Sequence, residues 1–283
     1  DTKQLEKNED IFVQVHEFET GEITCAYEPY LTMICDGFRR YMTGTFEEFM
    51  ETCDVYYLHR PVLLGYFNQD NTGREEIILL DEVAYEQERM LAALERMLCA
   101  IADRHPVLFV LNRFQLASKS TMQLTARFLK CENCNIGLVL GVSDIQAMPE
   151  FLVPDWEMLY ETLDDGSKIY HIGNSGRKKE ETIDDEKYVD YGSEKVYRKL
   201  QNMVEFLDFD QAAYYLETID RKIKFDNLLV DDAARFRMWL LFVKVSILRQ
   251  DIPKALEICE DLETIHLAGK LSLIHISEPT RLL

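Results

Sequence analysis

The sequence predicts an α/β domain, a parallel sheet with flanking helices, followed by an all-α domain of helical hairpins. Three observations carry that reading. Two apolar runs, Val107 to Leu111 and Ile136 to Val142, end abruptly in polar residues, the pattern of strands buried on both faces of a helix-covered parallel sheet. Segments of helical period precede and follow each run. Beyond a charged stretch at 176–193, the pattern is helical throughout, up to residue 270.

The elements follow in order. Ile11 to Glu17 is β-rich and alternates imperfectly, which predicts a strand, and Thr20-Gly21-Glu22 is a turn signal. Leu31, Ile34, Cys35, Phe38 and Tyr41 recur at helical spacing until Thr43-Gly44-Thr45 breaks the pattern, and Phe46 to Cys53 predicts a short second helix. Pro61 to Phe67 is apolar but short, and no element is assigned to it; Asn68 to Gly73 is the clearest loop of the first half. Val83 to Ala102 predicts a long amphipathic helix with Met90, Leu91, Leu94, Met97, Leu98 and Ile101 on one face. After the first buried strand, Thr121 to Leu129 predicts a helix with Ser118 or Ser120 available as its cap. The second strand ends in Ser143-Asp144. Met148 to Leu159 is mostly helical, interrupted by Pro149 and Pro154; Asp164-Asp165-Gly166 predicts a turn and Lys168 to Ile172 a strand.

This places the α/β domain at 1–175, a charged linker at 176–193 and helical hairpins at 194–270. The hairpin helices are expected over Val196 to Leu207, Asp210 to Lys222, Asp231 to Leu248 and Ile252 to Ile265. Asp208-Phe-Asp-Gln-Ala212 aligns with Asp251-Ile-Pro-Lys-Ala255, a loose internal repeat of 43 residues. In each copy a small Ala opens the second helix of a hairpin, as in a helical solenoid, although a tetratricopeptide repeat spans 34 residues. Leu271 to Arg281 resembles the in-frame translation of a common transposase sequencing adapter, so 271–283 is set apart as a non-native tail and the native chain is expected to stop near Lys270.

Among the 283 residues, 51 are acidic and 31 basic, a net charge of −20. That balance argues against a nucleic-acid-binding surface and against a patch for anionic membranes. No apolar run approaches the roughly 20 residues of a membrane span. Seven scattered cysteines are expected to be reduced thiols in a cytoplasm. Cys131-Glu-Asn-Cys134 is a lone CxxC without the second pair of a zinc ribbon and without a thioredoxin-like context, so it is read as an ordinary loop before a strand. The sequence has no nucleophile-elbow arrangement of Ser, His and Asp, and no pair of histidines at metal-ligand spacing.

Residues just past such strands sit at the carboxyl edge of the sheet, where α/β proteins bind ligands. Asn112, Arg113, Gln115 and Ser143 are therefore the candidate site residues. The order helix, apolar run, Gln115-x-Ala117-Ser118-x-Ser120-Thr121, helix, apolar run ending Gly141-Val142-Ser143 resembles the STAND branch of AAA-type P-loop ATPases over residues 1 to 172. Tyr27-Glu-Pro-Tyr30 and its helix resemble the segment that in this family succeeds the strand after the P-loop. The resemblance implies a partial P-loop NTPase-type sheet, a Walker-B-like strand ending at Asn112 and a sensor position at Ser143. It also implies ATP and Mg2+ in the full-length protein, and tetratricopeptide-like repeats that bind a protein or peptide partner and control an output domain, such as a diguanylate cyclase (GGDEF) or helix-turn-helix module.

Three departures qualify it. No Gly-x-x-x-x-Gly-Lys-Ser/Thr occurs in the chain; in the family that loop lies upstream of the first strand present here, so a truncation at Asp1 can explain its absence. The acidic pair expected at the strand end is replaced by Asn112-Arg113, one neutral and one of the wrong sign to hold Mg2+. No winged-helix region is evident between Ile172 and the hairpins. ATP hydrolysis is accordingly expected to be weak or absent, which leaves a nucleotide switch or pseudo-ATPase, with a non-catalytic interaction scaffold as the competing reading.

The bland alternatives stay open. Asn112 and Arg113 equally suit a strand-end cap and a surface charge, and Ser143-Asp144 a plain turn. His105 is read as a loop residue, and His16 and His171 as core histidines. Asp81-Glu82 and Asp164-Asp165 are read as solvated or helix-start charges. Phe206, Phe209, Tyr214, Tyr215, Phe236 and Trp239 are read as packing between hairpin helices, or as a groove for a partner peptide.

Overall fold

A three-stranded parallel sheet organises the first half of the chain. Its strands are β1 (Phe12–Glu17), β2 (Val107–Asn112) and β3 (Ile136–Gly141), in the order β1-β2-β3. The structure, a computed structural model, describes residues 10–19, 21–70, 82–131, 134–143, 148–163 and 190–267. Register aligns Phe12, Val107 and Ile136 at the amino edge of the sheet and Glu17, Asn112 and Gly141 at the carboxyl edge. The expected turn at Thr20, the loop beyond Asp70, Asp81, Asp164 to Gly166, the strand at Lys168 to Ile172 with His171, most of the 176–193 linker and the 271–283 tail lie outside the described residues.

One face of the sheet is packed against helices. In α1 (Tyr30–Tyr41) the buried Tyr30 ring meets Phe109 of β2 edge-on at 4.7 Å, and Tyr41 meets Phe12 at 5.4 Å. Gly37 allows α1 to lie close against α4 (Val83–Ala102), because a Cβ there would come within 2.8 Å of Ile101 Cγ2. The apolar face predicted for α4 is buried: Met90, Leu94, Met97, Leu98 and Ile101 are each 0% exposed. The short helix α2 (Phe46–Thr52) is held at its start by a reciprocal capping box between Thr45 and Glu48.

The unassigned stretch Pro61 to Phe67 belongs to a helix, α3 (Arg60–Asn68). Proline sits in its first turn, where the missing N–H has no helical partner to lose. Gln69, left-handed at φ 56°, ends it. The helix α5 (Lys119–Lys130) uses Ser118 as its cap, the hydroxyl accepting from Thr121 N, while Ser120 lies within the helix. A 3-10 turn over Glu150–Leu152 leads into α6 (Val153–Leu163); Pro149 precedes that turn and Pro154 sits in the first turn of the helix, where proline is tolerated.

The second apolar run departs from expectation. β2 is deeply covered, with Phe109 and Leu111 at 0% and Val110 at 6% exposed, but β3 is not buried on both faces: Val139 is 51% exposed and Gly137 is also open. β3 is the edge of the described sheet, and its Gly137/Val139 face has no helix over it among the described residues. An apolar run records what a strand could bury, not how much cover it receives.

The chain divides into two compact units, one of residues 1–189 with 205–208, the other of 190–204 with 209–283. The second unit comprises α7 (Glu194–Glu205), α8 (Phe209–Phe225), α9 (Asp232–Leu248) and α10 (Ile252–Leu267). Its interior holds Leu200, Met203, Phe209, Leu216, Trp239, Phe242 and Val245. Ala212 and Ala255, the small residues of the internal repeat, are both buried. Asp231 caps α9 by accepting from Ala233 N and Ala234 N, and Asp251 Oδ1 accepts from Lys254 N at the start of α10. Phe206 departs from the hairpin-packing expectation. It belongs to the first unit, where its ring lies edge-on to Tyr27 and Tyr66 at 6.2 and 5.8 Å. No helix among the described residues is long and apolar enough to cross a membrane.

Candidate functional site at the carboxyl edge of the sheet

The chain leaves β2 through Asn112 and a left-handed Arg113 (φ 54°, ψ 42°). A non-glycine residue pays of order 1 kcal/mol for that conformation. The sharp exit turns Phe114 into the core, fully buried, and brings Gln115 next to it at 2% exposure. A 3-10 turn over Phe114–Leu116 then delivers Ser118 to the start of α5. Arg113 Nε lies 3.5 Å from Glu17 Oε1 at the neighbouring strand end, an exposed pair of small energetic weight.

Two of the four candidate residues meet each other. The Gln115 amide nitrogen donates to Ser143 Oγ at 2.9 Å, and Ser143 N donates back to Gln115 Oε1 at 3.4 Å. The carboxamide thus clips the chain after β3 to the turn after β2. Asn112 is packed beside Gly141, where an added Cβ would lie 3.1 Å from Asn112 Oδ1. Asp144, the other half of the expected sensor position, lies outside the described residues.

The start of α5 is satisfied from within the protein. Ser118 Oγ also bonds to the hydroxyls of Ser120 and Thr121, Ser120 Oγ accepts from Tyr27 N, and Thr121 Oγ1 donates to Glu28 O. The carboxylate of Asp208, 4% exposed, accepts from Ser120 N at 3.1 Å. Helix N-termini attract anions because their first N–H groups lack helical partners and the helix dipole is positive there. Here a side chain of the same unit takes that role. Asp208 is 88 residues from Ser120, and no local signal in the sequence points to it.

Mg2+ demands oxygen ligands in near-octahedral order, commonly a carboxylate with waters and substrate phosphates. The tip of β2 offers a neutral amide packed against Gly141 and a guanidinium, and the nearby Glu17 faces that guanidinium. These residues do not fit an Mg2+ ion. A general base is also missing from the candidate set, since an amide, a guanidinium and a hydroxyl clipped to an amide hold no proton-accepting group of suitable pKa.

Other chemistry lies away from this edge. An open cavity of about 400 Å3 is lined by Gln87, Glu88 and Leu91 of α4, Gln123 and Arg127 of α5 and Met158 of α6. His59, 3% exposed, places Nε2 at 3.0 Å from Glu86 Oε2, and Arg89 Nη1 lies 3.0 Å from the other carboxylate oxygen. Burial, reinforced by the Arg89 charge, pushes the His59 imidazole down to about 4. His105 is a loop residue whose ring stacks on Tyr41, and His16 is half-buried beside Phe18. The reading of the CxxC as a plain loop is incomplete: Cys99 of α4 joins Cys131 and Cys134, a third thiol that local spacing did not announce.

No family model matches the chain, and no curated protein or solved structure matches it either.

Proposed function

We propose that the first unit is a STAND-type, P-loop-NTPase-like regulatory domain that has given up ATP hydrolysis. The tetratricopeptide-like hairpins of the second unit bind a protein or peptide partner in the cytoplasm and pass the state of the assembly to an output domain. The observation that supports this most is the self-closed carboxyl edge. On the STAND-type reading Asn112 and Arg113 replace the carboxylates that hydrolysis needs, and Gln115 and Ser143 satisfy each other. The same closure favours a second reading, a scaffold that binds no nucleotide at all, because the nearest helix N-terminus already holds the Asp208 carboxylate.

Two measurements on the complete gene product separate the readings. Phosphate release at saturating Mg-ATP is expected to stay at the buffer rate, with Asn112→Ala no different from wild type. Mg2+-dependent turnover that disappears in Asn112→Ala overturns the loss of hydrolysis. Equilibrium titration with a fluorescent ATP analogue then distinguishes a nucleotide switch, which binds, from a scaffold, which does not.

A further inference from the structure

Cys99 lies on the last turn of α4, Cys131 caps the C-terminus of α5, and Cys134 stands two residues before β3. Their three sulfur atoms all lie within 4.8 Å of one another, and each residue is half-buried. We propose that these three cysteines form a binding site for a thiophilic divalent cation, with Zn2+ the ion that the ligand set fits best.

The spacing suits a metal. Zinc binds thiolate sulfur at about 2.3 Å, so the edge of an S3 face in a tetrahedral site is about 3.8 Å. The sulfurs are at most 4.8 Å apart, so reaching that edge takes a contraction of about 1 Å or less. The backbone around the cluster is itself tied down. Asp103 N donates to Cys99 O, Cys131 N to Phe128 O and Val107 N to Asn135 O, and Asn135 Nδ2 reaches Ala102 O. Soft thiolates select Zn2+ over Mg2+ or Ca2+.

The electrostatics argue against a redox-active thiol. Reactive CxxC cysteines are activated at helix N-termini or beside cationic groups. Here α4 and α5 both present their C-terminal ends to the cluster, where carbonyl dipoles oppose the free thiolate that a redox cysteine needs. Binding is M2+ + 3 RSH → [M(SR)3]− + 3 H+, with water or a fourth ligand completing the tetrahedron, so affinity rises with pH.

The site is separate from the carboxyl edge. The cluster lies where strands β2 and β3 begin, and Asn112 and Gly141 lie where they end, roughly 17 Å away along six-residue strands. It ties α4, α5 and the start of β3 together, and it stands whether or not the chain binds nucleotide.

The test is titration of the reduced 283-residue protein with Zn2+ and, as a spectroscopic probe, Co2+. The expected result is one tight equivalent, a thiolate-to-cobalt charge-transfer band with tetrahedral visible bands, and at least tenfold slower alkylation of the three thiols. Cys99→Ser and Cys131→Ser should each abolish stoichiometric binding, whereas Cys259→Ser, outside the cluster, should bind as wild type. Should a variant fail to fold by circular dichroism, zinc protection of Cys99 in the wild-type chain, mapped by mass spectrometry, decides instead. The proposal is overturned if the reduced protein takes up no equivalent, if Cys99→Ser binds like wild type, or if zinc leaves Cys99 as reactive as before.

Discussion

Replacing Gln115 by alanine isolates the clip at the carboxyl edge. The side chain is 2% exposed and makes two hydrogen bonds to Ser143, at 2.9 and 3.4 Å. Each bond is worth about 0.5 to 1.5 kcal/mol net. Ser143 is exposed, so its released N–H and hydroxyl turn to water at little further cost. Truncating a buried side chain adds a cavity penalty of about 1 to 2 kcal/mol, taking the low end of the core range because the site borders a turn. The expected loss is about 2 to 5 kcal/mol, or a fall of about 4 to 20 °C in Tm for a unit of this size. Urea denaturation followed by Trp156 fluorescence suits the measurement, because that ring lies 6.5 Å from Phe114, next to the clip. A Trp239→Phe background silences the second tryptophan of the chain. Ser143→Ala alone should cost about 1 kcal/mol, and the double variant barely more than Gln115→Ala, since the one bond that Ser143→Ala removes is among the two that Gln115→Ala already removes. Additive losses, or a Gln115→Ala change within about 0.5 kcal/mol, refute the clip. So does a rise in Tm with ATP that Gln115→Ala removes, because it shows the amide serving a ligand.

Three more outcomes follow from buried contacts. Asp208→Ala should cost about 1 to 3 kcal/mol by stripping the acceptor from Ser120 N; Asp208→Asn should recover about half by keeping an oxygen there, and equal losses in a denaturation series would instead assign the effect to charge. Gly37→Ala should destabilise by about 1 to 3 kcal/mol despite the better helix propensity of alanine, because its Cβ meets Ile101 Cγ2 at 2.8 Å; a gain in urea midpoint contradicts the close packing of α1 on α4. His59, held down to about 4 in the fold against an ordinary 6.5, leaves the unfolded chain binding more protons between those values. Stability is therefore fully present above pH 6.5 and declines by about 3 kcal/mol as pH falls to 4, and His59→Gln flattens that slope. A slope that His59→Gln leaves unchanged refutes this assignment.

What the sequence shows depends on how local the cause is. Val83 to Ala102 is legible at both ends because a full 20-residue helix repeats its apolar face often enough to define period and length. β2 is legible because five consecutive apolar residues followed by Asn-Arg leave no other reading in an α/β context. Pro61 to Phe67 defeats the same approach: an apolar run of seven residues has no polar face to set a period. The exposed face of β3 is invisible for the opposite reason, since cover comes from other elements. At the site, Gln115 and Ser143 were both identifiable as strand-end polar residues, but their bond spans 28 residues and nothing in either segment encodes it. Asp208 and Cys99 were missed on the same ground. Each acts where the fold brings it, 88 residues from Ser120 in one case and 32 from Cys131 in the other.

The position of Asp208 bears directly on what the carboxyl edge can accept. An anion bound at the start of α5 would have to share the Ser120 N–H with a carboxylate that is 4% exposed. Two unit charges about 4 Å apart repel by about 4 kcal/mol at the effective dielectric of such a site. That is about a thousandfold in affinity for a singly charged group, and more for a phosphate carrying nearly two charges. The penalty exceeds the 0.3 to 2 kcal/mol that a helix dipole typically returns to an anion. Arg113 does not offset it, because that guanidinium is exposed and faces Glu17. Phosphate recognition at this helix is therefore strongly disfavoured while Asp208 is seated.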